Sequence, residues 1–188
     1  PNGKHLLVGC ADNTARIWDL HTWKEILTLK GHNKWVNTVS FSPNGRQILT
    51  GSVDKTVKIW NSSTGQELTS LIGHADIIKH ASYSPDGQRV LTGALDSTVR
   101  VWDPSTGRQT LQLQHSFEIT SVTLSPDSTR IAVGSLGPAI RVWGRVTETQ
   151  LGEMRRAREA AKRAEEANQA VTSLATREPK DALSAAAE

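Results

Sequence analysis

The chain has 188 residues, length enough for one sizeable core and too little for two large domains. A charged fraction of 22% beside a hydrophobic fraction of 37% excludes a fully disordered chain, and no apolar run approaches the ~20 residues of a membrane span, so a soluble protein is expected. The net charge of +3 is modest, so neither nucleic acid nor a membrane is an expected partner. Cys10 is the single cysteine. It can form neither an internal disulfide nor a thiolate metal cluster, and a reducing, cytoplasmic setting follows as the expectation. The first residue is Pro1 and no signal peptide follows it, so the chain reads as an excised piece of something longer.

From the first residues onward the sequence repeats. Trp18, Trp60, Trp102 and Trp143 stand 42, 42 and 41 residues apart, and Pro1, Pro43, Pro85 and Pro126 keep the same intervals. Two landmarks in step exclude coincidence. The second copy reads GHNKWVNTVSFSPNGRQILTGSVDKTVKIWN from Gly31, and the third reads GHADIIKHASYSPDGQRVLTGALDSTVRVWD from Gly73. Within a copy, apolar residues alternate at period two in runs rich in Val, Ile and Thr, which predicts strands. Strands a are expected at Val36–Phe41, Ile78–Tyr83 and Ile119–Leu124. Strands b are expected at Leu6–Val8, Ile48–Thr50, Val90–Thr92 and Ile131–Val133, and strands c end at the four tryptophans. Pro43-Asn44-Gly45 and Pro85-Asp86-Gly87 join a to b, Pro presetting the turn and Gly accepting a positive φ.

A repeat of this length, with a Gly-His pair, a strand-turn-strand and a Trp-Asp or Trp-Asn end, resembles the WD-repeat family of β-propellers. The resemblance covers residues 1 to about 147 and implies four-stranded antiparallel blades set radially around a channel, with protein recognition as the usual role. The expected fold is therefore all-β, a partial propeller of about three and a half repeats. Residues 1–147 form the blades and residues 148–188 a helical tail or linker. Pro1-Asn2-Gly3 already stands at an a–b turn, so blade one is expected without its a-strand, and the remaining blades are expected from the parent chain or another chain.

His32, Thr50 and Asp54 suggest a hydroxyl-His-acid triad. The period argues against catalysis, because His74, Thr92 and Asp96 repeat the set with the same internal spacings of 18 and 4, whereas an active site needs one pocket and one exposed nucleophile. In the family such residues, with a Trp, form a structural hydrogen-bonded network. The resemblance assigns that role to His32, Thr50, Asp54 and Trp60 and to His74, Thr92, Asp96 and Trp102. Blade one has Val8 in the hydroxyl position, and blade four has Val133 and Gly137, so their networks cannot be complete. Arg16, Lys58, Arg100 and Arg141 each lie two residues before a Trp and are expected to lay their stems on it. No phosphate loop, paired-His motif or Cys/His cluster is present in the sequence, so no metal, cofactor or catalytic residue is expected.

After Val146 the composition turns to Ala, Glu, Arg and Lys, which predicts a helix ended by Pro179. Met154, Ala157, Ala161, Ala164, Asn168, Val171 and Ala175 make a narrow seam of small residues on it. The segment reads either as a solvated linker helix or as a seam packed on another helix.

Function is expected to be a non-enzymatic protein-interaction scaffold. The competing reading is a ligand-sensing regulatory module of a larger signalling protein, such as a bacterial nucleotide-hydrolysing switch. By the resemblance, a protein or peptide partner would be held on the face bearing the b–c turns and the start of strand a. The positions carried over are Ala11, Val53, Leu95 and Leu136, with Trp35, Ile77 and Glu118. Most are apolar, so Trp35, Val53, Ile77, Leu95 and Leu136 are expected to form an exposed strip beside Glu118.

Overall fold

A computed structural model describes residues 3–138 and 140–144. They form four antiparallel sheets, each built from consecutive strands and each matching one sequence repeat. Blade one contains β1 (His5–Gly9), β2 (Thr14–Asp19) and β3 (Glu25–Lys30). Blade two contains β4 (Val36–Phe41), β5 (Gln47–Ser52), β6 (Val57–Asn61) and β7 (Glu67–Leu71). Blade three contains β8 (Ile78–Tyr83), β9 (Val90–Ala94), β10 (Thr98–Trp102) and β11 (Gln109–Gln114). Blade four contains β12 (Ile119–Leu124), β13 (Ile131–Ser135) and β14 (Arg141–Trp143).

The three a-strands coincide with the expected ranges, whereas β2 and β6 run one residue past their tryptophans, to Asp19 and Asn61. Blades two and three are four-stranded; blades one and four show three strands among the described residues. The expected outer strand of blade four near 148–151 and the helical tail at 148–188 lie outside the described residues. In each a–b turn the third residue takes a left-handed φ, 71° at Gly45, 70° at Gly87 and 55° at Ser128. The chain then reverses within the length the Pro-containing tetrads allow.

Blades meet through one apolar face of each strand set. Ala15, Ile17 and Leu29 of blade one are buried against Val36, Ile48 and Trp60 of blade two. Leu49, Val57, Ile59 and Leu71 of blade two are buried against Ile78, Ala81, Val90 and Trp102 of blade three. The b-strand glycines set this spacing. A Cβ on Gly51 would stand 2.7 Å from Ile78 Cγ2, and one on Gly93 would stand 2.6 Å from Ile119 Cγ2. Gly9 faces Val36 in the same way, its virtual Cβ 2.6 Å from the Val36 carbonyl. Only Gly permits the next inner strand to come this close. Polar ties cross the same boundaries: Asn37 Nδ2 donates to Ile78 O at 3.2 Å, Tyr83 Oη to Gln47 Oε1 at 3.1 Å and Lys55 Nζ to Ala75 O at 2.8 Å.

Candidate functional site

Each complete blade contains a buried hydrogen-bonded chain. In blade two, Trp60 Nε1 donates to Thr50 Oγ1 at 2.8 Å, His32 Nε2 lies 2.7 Å from the same oxygen, and His32 Nδ1 lies 2.9 Å from Asp54 Oδ2. Blade three repeats it through Trp102, Thr92, His74 and Asp96, at 2.9, 2.6 and 2.9 Å. Directions can be assigned. The carboxylate accepts only, so Nδ1 carries the proton; Nε2 must then accept, and the Thr50 hydroxyl donates to it while receiving the indole N–H. Every polar atom is satisfied when the imidazole is neutral.

The electrostatics agree with this protonation state. Burial lowers the His32 pKa against the opposing pull of Asp54. Burial disfavours the Asp54 carboxylate, yet hydrogen bonds from Thr56 Oγ1, the Asn33 N–H and His32 outweigh it and hold the pKa at about 2. Asp96 is held low in the same way by His74, Thr98 and the Ala75 N–H. Thr50 and Thr92 are fully buried and their oxygens already engaged. Neither can reach a substrate, so the triad-like spacing does not assemble a nucleophile.

Two further sets of partners escaped the sequence reading although both keep the period. Thr56 and Thr98 donate to Asp54 Oδ1 and Asp96 Oδ1 at 2.6 and 2.7 Å. In blades one to three the cation before the Trp also reaches the outer strand: Arg16 to Glu25 at 3.3 Å, Lys58 to Glu67 at 2.8 Å, and Arg100 to Gln109 at 2.8 Å. Lys58 Nζ lies 6.0 Å from the Trp60 ring centroid and Arg141 Cζ 5.7 Å from that of Trp143. In blade one, Asp12 pairs with Arg16 at 2.5 Å on the surface. In blade four, His115 Nδ1 accepts the Phe117 N–H at 3.1 Å, since Val133 and Gly137 offer it neither hydroxyl nor carboxylate.

Above these chains, the candidate partner positions come together in pairs. Val53 N donates to Trp35 O at 2.9 Å, Leu95 N to Ile77 O at 3.0 Å, and Leu136 N to Glu118 O at 3.0 Å. One pair thus sits at the b–c-turn end of each of three successive blades. Trp35 is 61% exposed and Leu136 69%. Glu118 and Ala11 are exposed as well, but Val53, Ile77 and Leu95 are half-buried. The strip is therefore less open in its middle than the sequence suggested. Turns of neighbouring blades lean together there, as the Lys55 to Ala75 contact shows. Among the described residues no group of His, Cys, Asp and Glu could hold a metal ion. Among them, too, no helix is long and apolar enough to cross a membrane.

The model of a protein family described as the IFT122 first β-propeller matches residues 1–175. The chain belongs to this family of WD-repeat β-propellers. Single repeats are also similar to curated proteins. One stretch is 55% identical over 38 residues to Ribosome assembly protein 4 of Saccharomyces cerevisiae, covering 20% of this chain and 7% of that protein. Another is 39% identical over 41 residues to Nuclear distribution protein PAC1-2 of Postia placenta, covering 22% and 10%. A third is 47% identical over 38 residues to an uncharacterized WD repeat-containing protein of Nostoc sp., covering 20% and 2%. The matched part thus spans a tenth or less of each of these relatives. What this WD-repeat chain shares with them is the repeat unit.

Proposed function

We propose that the chain is part of a non-enzymatic protein-interaction scaffold whose b–c-turn face docks a protein or peptide. Blades occupy residues 1–147, a helical tail or linker occupies residues 148–188, and the remaining blades come from the parent chain or another chain. The observation that carries this reading is the row of backbone-linked pairs Trp35/Val53, Ile77/Leu95 and Glu118/Leu136, with a largely exposed tryptophan at one end. Turn tips are ordinarily polar, and a largely apolar row with exposed Trp35 and Leu136 at its ends is of the kind found at interfaces. Two of the similar proteins are named for ribosome assembly and nuclear distribution, roles that suit binding surfaces better than chemistry. The buried relays give this face its rigidity, since Asp54 and Asp96 tie each b–c turn to the backbone just before the a-strand.

Site-specific photocrosslinking in the full-length protein tests the proposal. A photoreactive side chain at Trp35 or Leu136 should capture a protein that the same group at Ser63, on the opposite turns, does not. Trp35→Ala and Leu95→Glu should each weaken the captured partner about thirtyfold, the loss typical of a truncated aromatic anchor. Adducts at Ser63 alone, or unchanged affinity in both variants, would place recognition elsewhere.

A further inference from the structure

The residue after Asp12, Asp54 and Asp96 is left-handed without being glycine: Asn13, Lys55 and Ser97 have φ of 71°, 73° and 59°. Asn is among the residues enriched in this region, whereas Lys brings no local backbone advantage. What sets Lys55 apart is its reach. Its Nζ crosses to the next blade and donates to Ala75 O at 2.8 Å. The equivalent Asn13 makes no bond to Asn33 among the described residues. Ser97 offers its carbonyl instead, to His115 N at 2.8 Å and Gln114 Nε2 at 3.3 Å. The boundary that Lys55 spans lies between the two four-stranded blades. Blade two is held on its other side by Val36 N donating to Cys10 O at 3.1 Å, and Gly93 of blade three lies against Ile119 of blade four. Both partners of the bond thus have a blade on either side.

Ala75 is gripped from two directions. Its N–H donates to Asp96 Oδ2 at 2.8 Å, within the relay of its own blade, and its carbonyl takes the Lys55 ammonium from the blade before. The matching Asn33 N–H donates to Asp54 Oδ2 at 2.9 Å, but no cross-blade donor meets the Asn33 carbonyl among the described residues. Val53 stands two residues before Lys55, and Ile77 two residues after Ala75. The bond therefore couples the Trp35/Val53 pair, closed by Val53 N on Trp35 O, to the Ile77/Leu95 pair, closed by Leu95 N on Ile77 O.

Global stability does not explain such a bond. Immobilising a long lysine side chain costs about what one exposed hydrogen bond returns, so its net effect is on geometry. We infer that Lys55 is a positioning residue of the docking face, a latch that fixes the spacing of two adjacent pairs so that one partner engages both. This role rests on the proposal that the b–c-turn face is the docking surface. With the latch closed, the loop that carries Ile77 is ordered before a partner arrives. With it open, a partner spanning the two blades must order that loop on binding and loses affinity accordingly.

Hydrogen exchange of the full-length protein, followed at single amides, tests the latch without a partner. Lys55→Asn suits the left-handed turn but is too short to reach Ala75 O. It should speed exchange of the Leu95 amide about fivefold, the equivalent of one hydrogen bond, while the Val53 amide and the melting midpoint hold. Lys55→Arg, long enough to donate again, should restore wild-type exchange. Photocrosslinking then tests the role. Photoreactive groups at Trp35 and at Ile77 should capture the same protein, and Lys55→Asn should cut the Ile77 adduct about fivefold relative to the Trp35 adduct. Leu95 exchange that ignores Lys55→Asn, or does not recover in Lys55→Arg, would overturn the latch. So would a lowered midpoint with all amides accelerating together, the mark of an ordinary structural contact, or an unaffected Ile77 adduct where Leu95 exchange has risen. Equal capture at Trp35 and Ser63 with the exchange response intact would instead remove the docking surface, and the positioning role with it.

Discussion

A single hydroxyl organises each complete relay. Thr50 takes the Trp60 indole proton and gives its own to His32, so Thr50→Val keeps the shape while leaving a buried indole N–H and an imidazole nitrogen unpaired. The expected cost is about 1–3 kcal/mol, read as a lower denaturation midpoint; Thr50→Ser, which keeps the hydroxyl, should recover most of it. The acid limb of stability follows from the same residues. Asp54 ionises at about 2 in the fold and near ~3.9 when unfolded, so its contribution is complete above that value and lost as pH falls toward 2. His32 acts in the same direction at higher pH. Its folded pKa is lowered, so below ~6.5 the unfolded chain takes up the proton first and stability declines. Melting midpoints should therefore fall from about pH 6.5 downward and more steeply below about pH 4. Asp54→Asn should flatten the lower part of that profile, and a midpoint unchanged down to pH 3 would contradict the assigned protonation.

At the scale of strands, the glycines of β5 and β9 control how closely blades stack. Gly51→Ala places a methyl 2.7 Å from Ile78 Cγ2 and 2.6 Å from Thr38 Cγ2, and such overpacking is expected to cost about 1–3 kcal/mol. Adding Thr38→Ser, which removes the closer methyl and keeps the hydroxyl, should recover part of that loss, so that the pair is less destabilising than the sum of the singles; strict additivity would place the strain elsewhere. In the a–b turn of blade four, Ser128 occupies the position of Gly45 and Gly87 with φ of 55°. Ser128→Gly should raise stability by about 0.5–1 kcal/mol, measurable by chemical denaturation. The a-strands and Pro-containing turns were legible because alternation and turn chemistry are local signals. Gly9, Gly51, Gly93 and Gly134 also recur at the repeat interval, but their purpose emerges only when the neighbouring blade is in place. The Lys58–Glu67 clamp likewise depends on a cross-strand register that no single strand announces.

Across the whole set of blades, burial of one sheet face always depends on the next sheet. Val57 and Ile59 are 1% and 0% exposed under blade three, while their counterparts in blade four, Ile140 and Val142, are 76% and 58% exposed. The matching strand face is thus bare where a further blade would cover it, and apolar surface of this kind associates in water. β1 adds an open backbone edge, since β2 is its partner in the three-stranded sheet of blade one. On its own the 188-residue chain should therefore self-associate in a concentration-dependent way, as measured by light scattering coupled to chromatography. Ile140→Lys with Val142→Lys should shift the population toward monomer by placing like charges on the bare face. The unfolding of blades two and three, whose cores these side chains do not enter, should be unaffected. A wild-type chain that stays monomeric on concentration, or a charged double variant that associates as strongly, would mean that the bare face of blade four does not drive assembly.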